Sequence, residues 1–255
     1  MNKYWIWFSR INKIGAYTQN SLLKIYKTPD IIWKLNRSEL AKNLKDEQIN
    51  IVLDKKYRDN LEKYIEYIKK NNIKVITIYD KEYPKKLKNI FDPPVVLYVK
   101  GNEKILNNNT LAIVGSRTCS EYGKNVAKQF AYNISKQNIN IIAGLAKGID
   151  TSAHIGTVLS KGKTIAVLGS AVDCIYPKEN ERLSEEIIKT GGAVISEYVV
   201  GTKPDKLHFP ARNRIISGIS DGVLVVEASS TSGTFITVDF ALEQGKNIYA
   251  IPRQH

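Results

Sequence analysis

Leu111-Ala112-Ile113-Val114-Gly115-Ser116-Arg117 is an apolar run that ends in a glycine turn, and the same construction returns down the chain. Ile139–Ile142 leads into Ala143-Gly144-Leu145-Ala146-Lys147-Gly148-Ile149-Asp150, Ile165–Leu168 into Gly169-Ser170, and Ala193–Ile195 into Ser196-Glu197. Val223–Val226 leads into Glu227-Ala228 and then Ser229-Ser230-Thr231-Ser232-Gly233-Thr234, and Ile248–Ile251 closes the series. Strands that are apolar without alternation belong to a sheet covered on both faces. Helical segments between them imply right-handed βαβ crossovers. Residues 109–255 therefore predict an α/β fold: an open, doubly wound, mainly parallel sheet. Ligands of such sheets sit beyond the carboxyl ends of the strands.

Ahead of this block the grammar differs. Residues 1–70 read as a small all-helical domain, with apolar residues at helical spacing through Leu22, Leu23, Ile25 and Tyr26 and through Leu61, Tyr64, Ile65 and Ile68. Pro29 suits a first helical position. Residues 71–108 read as a connecting segment with strands at Ile73–Ile78 and Val95–Val99, broken by Tyr83-Pro84 and Asp92-Pro93-Pro94 and belonging with the second domain.

The chain has 255 residues and a formal net charge of +13, which fits a polyanionic partner. The excess is uneven: residues 1–105 hold 22 Lys and Arg against 12 Asp and Glu, and residues 106–255 hold 16 against 13. No apolar run approaches the roughly 20 residues that span a bilayer, and no signal peptide is evident, so a cytoplasmic protein without membrane contact is expected. Cys119 and Cys174 form no metal-ligand spacing, and neither a metal nor another cofactor is expected.

The strand ends carry the chemistry. Glycines let a backbone approach a ligand, and amides at a following helix N-terminus attract anions. Gly115, Ser116 and Arg117 from the first turn, Lys147 from the second, and Ser232, Gly233 and Thr234 from the last would line one edge. His208-Phe209-Pro210-Ala211-Arg212-Asn213-Arg214 adds two arginines whose forks match phosphate oxygens, and an aromatic face on which a base can stack. GxxxxGK[ST] is absent, and Arg117 replaces the second glycine of a dinucleotide turn. Asp150 reads as a helix cap and Asn180 as another. His154 is open between phosphate contact, general acid and core residue. Glu197 and Glu227 lie where a catalytic carboxylate could stand, but nothing sets a base beside a nucleophile.

Taken in order, Gly115-Ser116-Arg117, the Gly144–His154 run, Tyr176-Pro177 with Asn180, Ser196-Glu197-Tyr198, Phe209–Arg214 and Ser232-Gly233-Thr234 resemble the DprA/Smf family of DNA-processing proteins. The match runs from about Leu111 to Ile251. Residues 1–70 loosely resemble that family's SAM or helix-hairpin-helix domain. The resemblance implies an extended Rossmann-like domain and no catalysis. It implies a homodimer that binds and protects single-stranded DNA and loads the recombinase RecA in natural transformation. By motif, Gly115, Ser116, Arg117, Lys147, His154, Phe209, Arg212, Asn213, Arg214, Ser232, Gly233 and Thr234 would contact the strand. Lys147 stands where relatives more often carry arginine, and Ala211 where many carry a basic residue. The last strand runs into Pro252-Arg253-Gln254-His255, which reads as an abbreviated C-terminus.

The rival is an enzyme of the phosphoribohydrolase type on the same fold, with the signature PGGxGTxxE. Here Gly233-Thr234 is kept, but Thr237 stands where the acid belongs, and the hydrolysis loses its base.

Overall fold

A computed structural model describes residues 2–228 and 232–252. The expected hydroxyl run at Ser229, Ser230 and Thr231, and Arg253 to His255, lie outside the described residues. Among the described residues, seven α-helices fill the first 70 positions: α1 (Lys3–Arg10), α2 (Ala16–Tyr26), α3 (Pro29–Lys34), α4 (Arg37–Leu40), α5 (Asp46–Leu53), α6 (Lys55–Arg58) and α7 (Leu61–Lys70). Local chemistry sets several of their starts. Pro29 occupies the first position of α3, where its missing N–H is not needed. Asn36 and Glu39 cap α4 reciprocally, each side chain accepting from the other's backbone amide.

These helices share one apolar core with the sheet. Ile6, Trp7 and Phe8 of α1 are fully buried in the cluster that also holds Leu97, Val99 and Val167. Ser9 Oγ meets the Tyr98 hydroxyl at 2.6 Å, a buried polar pin between α1 and the second strand. Arg10 donates to the carbonyls of Lys56, Tyr57 and Asp59, tying down the end of α6.

The sheet has eight strands: β1 (Lys74–Thr77), β2 (Val96–Gly101), β3 (Thr110–Val114), β4 (Asn140–Ala143), β5 (Thr164–Val167), β6 (Ala193–Ser196), β7 (Gly222–Val225) and β8 (Asn247–Ala250), in the order β1-β2-β6-β5-β4-β3-β7-β8. The connecting segment thus supplies two strands that extend the sheet, β2 pairing antiparallel with both β1 and β6. The other five pairings are parallel. Strands β3 to β6 are buried almost throughout, which is why their sequences do not alternate.

The crossover helices are α9 (Glu121–Ser135), α10 (Ile149–Leu159), α11 (Glu181–Lys189), α12 (His208–Ile219) and α13 (Thr234–Glu243), with the short α8 (Lys85–Lys88) beneath α12. The chain winds from β3 outward through β4, β5 and β6, then returns to the other side of β3 with β7 and β8. Strand order reverses between β3 and β7, and the crevice of a doubly wound Rossmann-like sheet opens there. Among the described residues, no helix is long and apolar enough to cross a membrane.

Candidate functional site

A cavity of about 590 Å³ opens at this switch point, beyond the carboxyl ends of β3 and β7. Gly115, Ser116 and Arg117 line it from the turn after β3, Phe209, Arg212 and Asn213 from α12, and Ser232, Gly233 and Thr234 from the start of α13. A smaller cavity of about 180 Å³ adjoins it, bounded by Arg117, Gly144, Lys147, Tyr176 and Phe209.

Arg117 is exposed, and its guanidinium carbon lies 5.4 Å from the centroid of the Phe209 ring. The Tyr176 ring tilts toward the same phenylalanine at 5.5 Å and is 49% exposed. A cation and two aromatic faces therefore meet at the mouth of the pocket. Among the described residues no carboxylate pairs with Arg117, whose side chain is exposed. Lys147 stands on the rim, where it holds an exposed ion pair with Glu179 at 2.6 Å. An exposed pair of this kind is worth little and exchanges readily for a better anion.

Arg212 forms the floor. It is 4% exposed and donates through Nη1 to Gly144 O at 2.6 Å and to Val167 O. A Cβ at Gly144 would fall on the Arg212 guanidinium, so a side chain there would displace that cation. Burial pushes the Arg212 pKa down to about 10, partly opposed by Asp150, so it stays cationic at neutral pH.

The second glycine turn differs from the expectation that its amides are offered to a ligand. Asp150 does not cap α10. Gly148 holds the cap position, and the Asp150 carboxylate reaches back from the first turn to Gly144 N at 2.9 Å and Ala146 N at 3.3 Å. An internal anion already fills that nest. Burial raises the Asp150 pKa, with Arg212 and the two amides acting against it. Asn180 holds the N-cap position of α11, as expected, but its side chain makes no capping bond. Its Nδ2 donates to Leu145 O at 2.9 Å and Thr151 Oγ1 at 2.8 Å, pinning the β5 loop to the β4 turn.

Two expected contacts are corrected outright. His154 is fully buried in α10, with Nδ1 at 2.8 Å from Thr164 Oγ1 and Nε2 without a partner among the described residues. Thr164 gives its own hydrogen to Ile141 O, so His154 is the donor at Nδ1. Burial, with Arg212 nearby, depresses its pKa to about 3. An unfolded histidine titrates near 6.5, so the unfolded chain binds the extra proton as pH falls. Stability is therefore expected to drop by about 2 kcal/mol between about pH 6.5 and pH 5 from this group. Denaturant midpoints at the two pH values check this: the wild-type difference should shrink in His154→Gln, and an identical difference would refute it.

Arg214 is the second correction. Its side chain is 5% exposed and turned away from the pocket, with Nη1 and Nη2 on Glu197 Oε1 and Oε2 at 2.6 and 2.8 Å. Its Nε donates to Asp92 Oδ2 at 3.0 Å. Burial pulls the Arg214 pKa down, but the two carboxylates outweigh it and the net shift is upward. Glu197 is thereby committed to an ion pair. Glu227 is committed too, accepting from Ser120 N at 3.1 Å and Ser120 Oγ at 2.7 Å at the start of α9. Among the described residues no cluster of His, Cys, Asp and Glu could hold a metal.

Sequence reading missed Tyr176 and Lys206 as pocket residues. An aromatic beside Pro177 in the loop after β5, and a lysine just ahead of the arginine run, were the available signals.

Fold and site together define a Rossmann-like α/β protein whose switch-point pocket is walled by arginine and aromatic side chains. The chain belongs to the DNA recombination-mediator protein A family, whose model matches residues 74–255. It is 46% identical over 176 residues to the DNA processing protein DprA of Streptococcus pneumoniae, covering 69% of this chain and 62% of that one. It is 42% identical over 185 residues to DprA of Bacillus subtilis, covering 72% and 62%. Over 255 residues it is 33% identical to the protein Smf of Synechocystis, covering 98% and 64%. The chain thus spans less than two thirds of the length of these relatives. The crystal structure of S. pneumoniae DprA superposes with a TM-score of 0.84 at 34% identity, over 100% of this chain and 88% of that one. DNA processing protein A from Helicobacter pylori, described for its single-stranded DNA binding mode, superposes at 0.65 with 29% identity, over 71% and 81%.

Proposed function

We propose that this chain binds single-stranded DNA, holding the sugar-phosphate backbone in the switch-point pocket. The reading also has it protect incoming strands and load RecA during natural transformation, as a cytoplasmic homodimer. One observation carries the DNA assignment: the Arg117 guanidinium, without a carboxylate partner among the described residues, lies over Phe209, with Tyr176 beside it and the buried Arg212 cation beneath. A cation fixed beside exposed aromatic faces suits a phosphate whose neighbouring base is free to stack, which a duplex does not offer. The named single-strand mode of the H. pylori relative supports the same partner, and membership of the family supports the DNA-processing role.

In this reading Arg117 binds phosphate from the β3 turn, Lys147 exchanges Glu179 for a second phosphate, and Asn213, Ser232, Gly233 and Thr234 supply neutral donors. The hydrolase reading is weaker because Thr237 is buried at the acid position and both nearby glutamates are already bonded. Fluorescence anisotropy with single- and double-stranded oligonucleotides at two salt concentrations tests the proposal. Tighter binding to the single strand is expected, with affinity falling as salt rises because counterions are released. Equal affinity for both forms, or none for either, would overturn it.

A further inference from the structure

The first 29 residues carry Lys3, Arg10, Lys13, Lys24 and Lys27 and no carboxylate, and the pocket uses none of them. Next to this basic segment, two aromatic rings lie open to solvent. Tyr17 of α2 and Phe91 of the α8–β2 loop stack at 5.0 Å with an interplanar angle of 13°. Phe91 is 81% exposed and Tyr17 56%. Phe91 is the most exposed of the large apolar side chains among the described residues, and Tyr17 is its only ring partner among them.

Lysines frame the stack. Lys24 follows Tyr17 by seven residues and so lies on the same face of α2. Lys88 precedes Phe91 by three residues, and its Nζ lies 6.0 Å from the Tyr79 ring. The Tyr79 hydroxyl in turn donates at 3.5 Å to Leu23 O, on the residue before Lys24. Three nearby acids are engaged: Asp92 with Arg214, Asp221 with Lys86, and Glu82 with Lys81. Glu243, on the far wall of the groove beside Phe91, and Asp80, next to Tyr79, have no ion pair among the described residues and stand against the positive field.

Helix α12 sets the distance from this patch to the pocket. Phe209, Arg212, Asn213 and Ile216 form the stripe that lines the pocket. Arg214 and Gly218 form another stripe, against Asp92 and against Leu87 and Ile90. Ile216 and Gly218 are two residues apart, which is about 200° around a helix. The pocket and the Ile90–Asp92 segment that carries Phe91 thus meet α12 on opposite sides, and a helix is about 10–12 Å wide.

We propose that the Tyr17–Phe91 stack, with Lys24 and Lys88, is a second contact for single-stranded DNA, stacking bases of the same strand whose backbone occupies the pocket. This rests on the single-strand reading above. An exposed aromatic face beside lysines that hold no ion pair among the described residues fits a nucleobase and its phosphate, since every base has a π-face and stacking needs no sequence. Bridging α12 gives the basic N-terminal helices a role in the affinity for long strands.

The test is anisotropy of the full chain with oligothymidylates of roughly 6 and roughly 20 nucleotides, the shorter filling only the pocket. Phe91→Ala should weaken the longer probe about tenfold and leave the shorter within about twofold, with Tyr17→Ala in the same direction and melting curves unchanged. A photoreactive pyrimidine in the longer probe should crosslink to the Phe91 peptide. Wild-type affinity of Phe91→Ala for both probes, or an equal loss on both, overturns the second contact while the pocket reading stands. Unchanged DNA affinity together with a changed mass by light scattering would assign the face to a second copy of the chain and also overturn it. No binding of either probe by the wild type refutes the single-strand reading, and this inference with it.

Discussion

Arg214→Ala is expected to destabilise the fold by about 3–5 kcal/mol, the loss that follows when one partner of a buried ion pair is removed. The guanidinium fork fits Glu197 oxygen for oxygen, and Glu197 is itself only 14% exposed by side chain. Removing the arginine strands that carboxylate at the end of β6 and also frees Ala211 O, which Nη1 meets at 2.8 Å. The contact with Asp92, 35% exposed, adds less because water screens it. Arg214→Lys should recover only part of the loss, since an ammonium cannot engage both carboxylate oxygens in the same geometry. Adding Glu197→Gln to Arg214→Ala should restore stability relative to the single variant, because the orphaned charge is gone. Chemical denaturation of the four proteins measures this. A midpoint for Arg214→Ala equal to the wild type would show that the pair does not hold α12. The slope of affinity against salt should not change in Arg214→Ala, because this cation does not face the pocket.

Arg117→Ala should do the opposite: leave the fold within about 0.5 kcal/mol, as for other exposed side chains, and weaken single-strand binding roughly tenfold to a hundredfold. A hydrogen bond to a charged group is worth about 1.5–3 kcal/mol, and each 1.4 kcal/mol is about tenfold in affinity. Losing one phosphate contact should also lower the salt slope by about 0.7 for a single strand. Arg117→Lys should restore the slope but only part of the affinity, for it keeps the charge and loses the fork over Phe209. Arg212→Ala is a poorer test of DNA contact. Arg212 holds Gly144 O and Val167 O and offsets Asp150, so its loss would lower stability and binding together. Affinity and salt slope both unchanged in Arg117→Ala would remove this arginine from the site.

Much of the scaffold was legible in the chain. The continuous apolar runs gave the buried parallel strands because burial on both faces is a local demand on each strand. The strand-end turns at Gly115 and Gly233 were found because glycine is needed where backbones crowd a ligand edge. Asp150 was misjudged because its bond to Gly144 N spans six residues backwards, against the usual direction of a cap. The Tyr17–Phe91 pair was invisible, as the two residues are 74 positions apart and meet only through packing.

The amino-acid sequence alone determined the doubly wound sheet, its mainly parallel strands and the strand-end edge at which Arg117 and Phe209 stand, since periodicity and turn chemistry act over a few neighbouring residues. Tertiary structure alone decided which of those side chains reach the pocket. Arg212 and Arg214 look equivalent in the chain, yet they point about 200° apart around α12, one beneath the cavity and the other into Glu197. α12 is buried on several sides at once, by the sheet, α8 and α13. Which of its faces meets the cavity is therefore set by packing among distant segments, not by any local pattern. The same holds for His154, polar in the sequence and closed off between α9 and the sheet once α10 is packed.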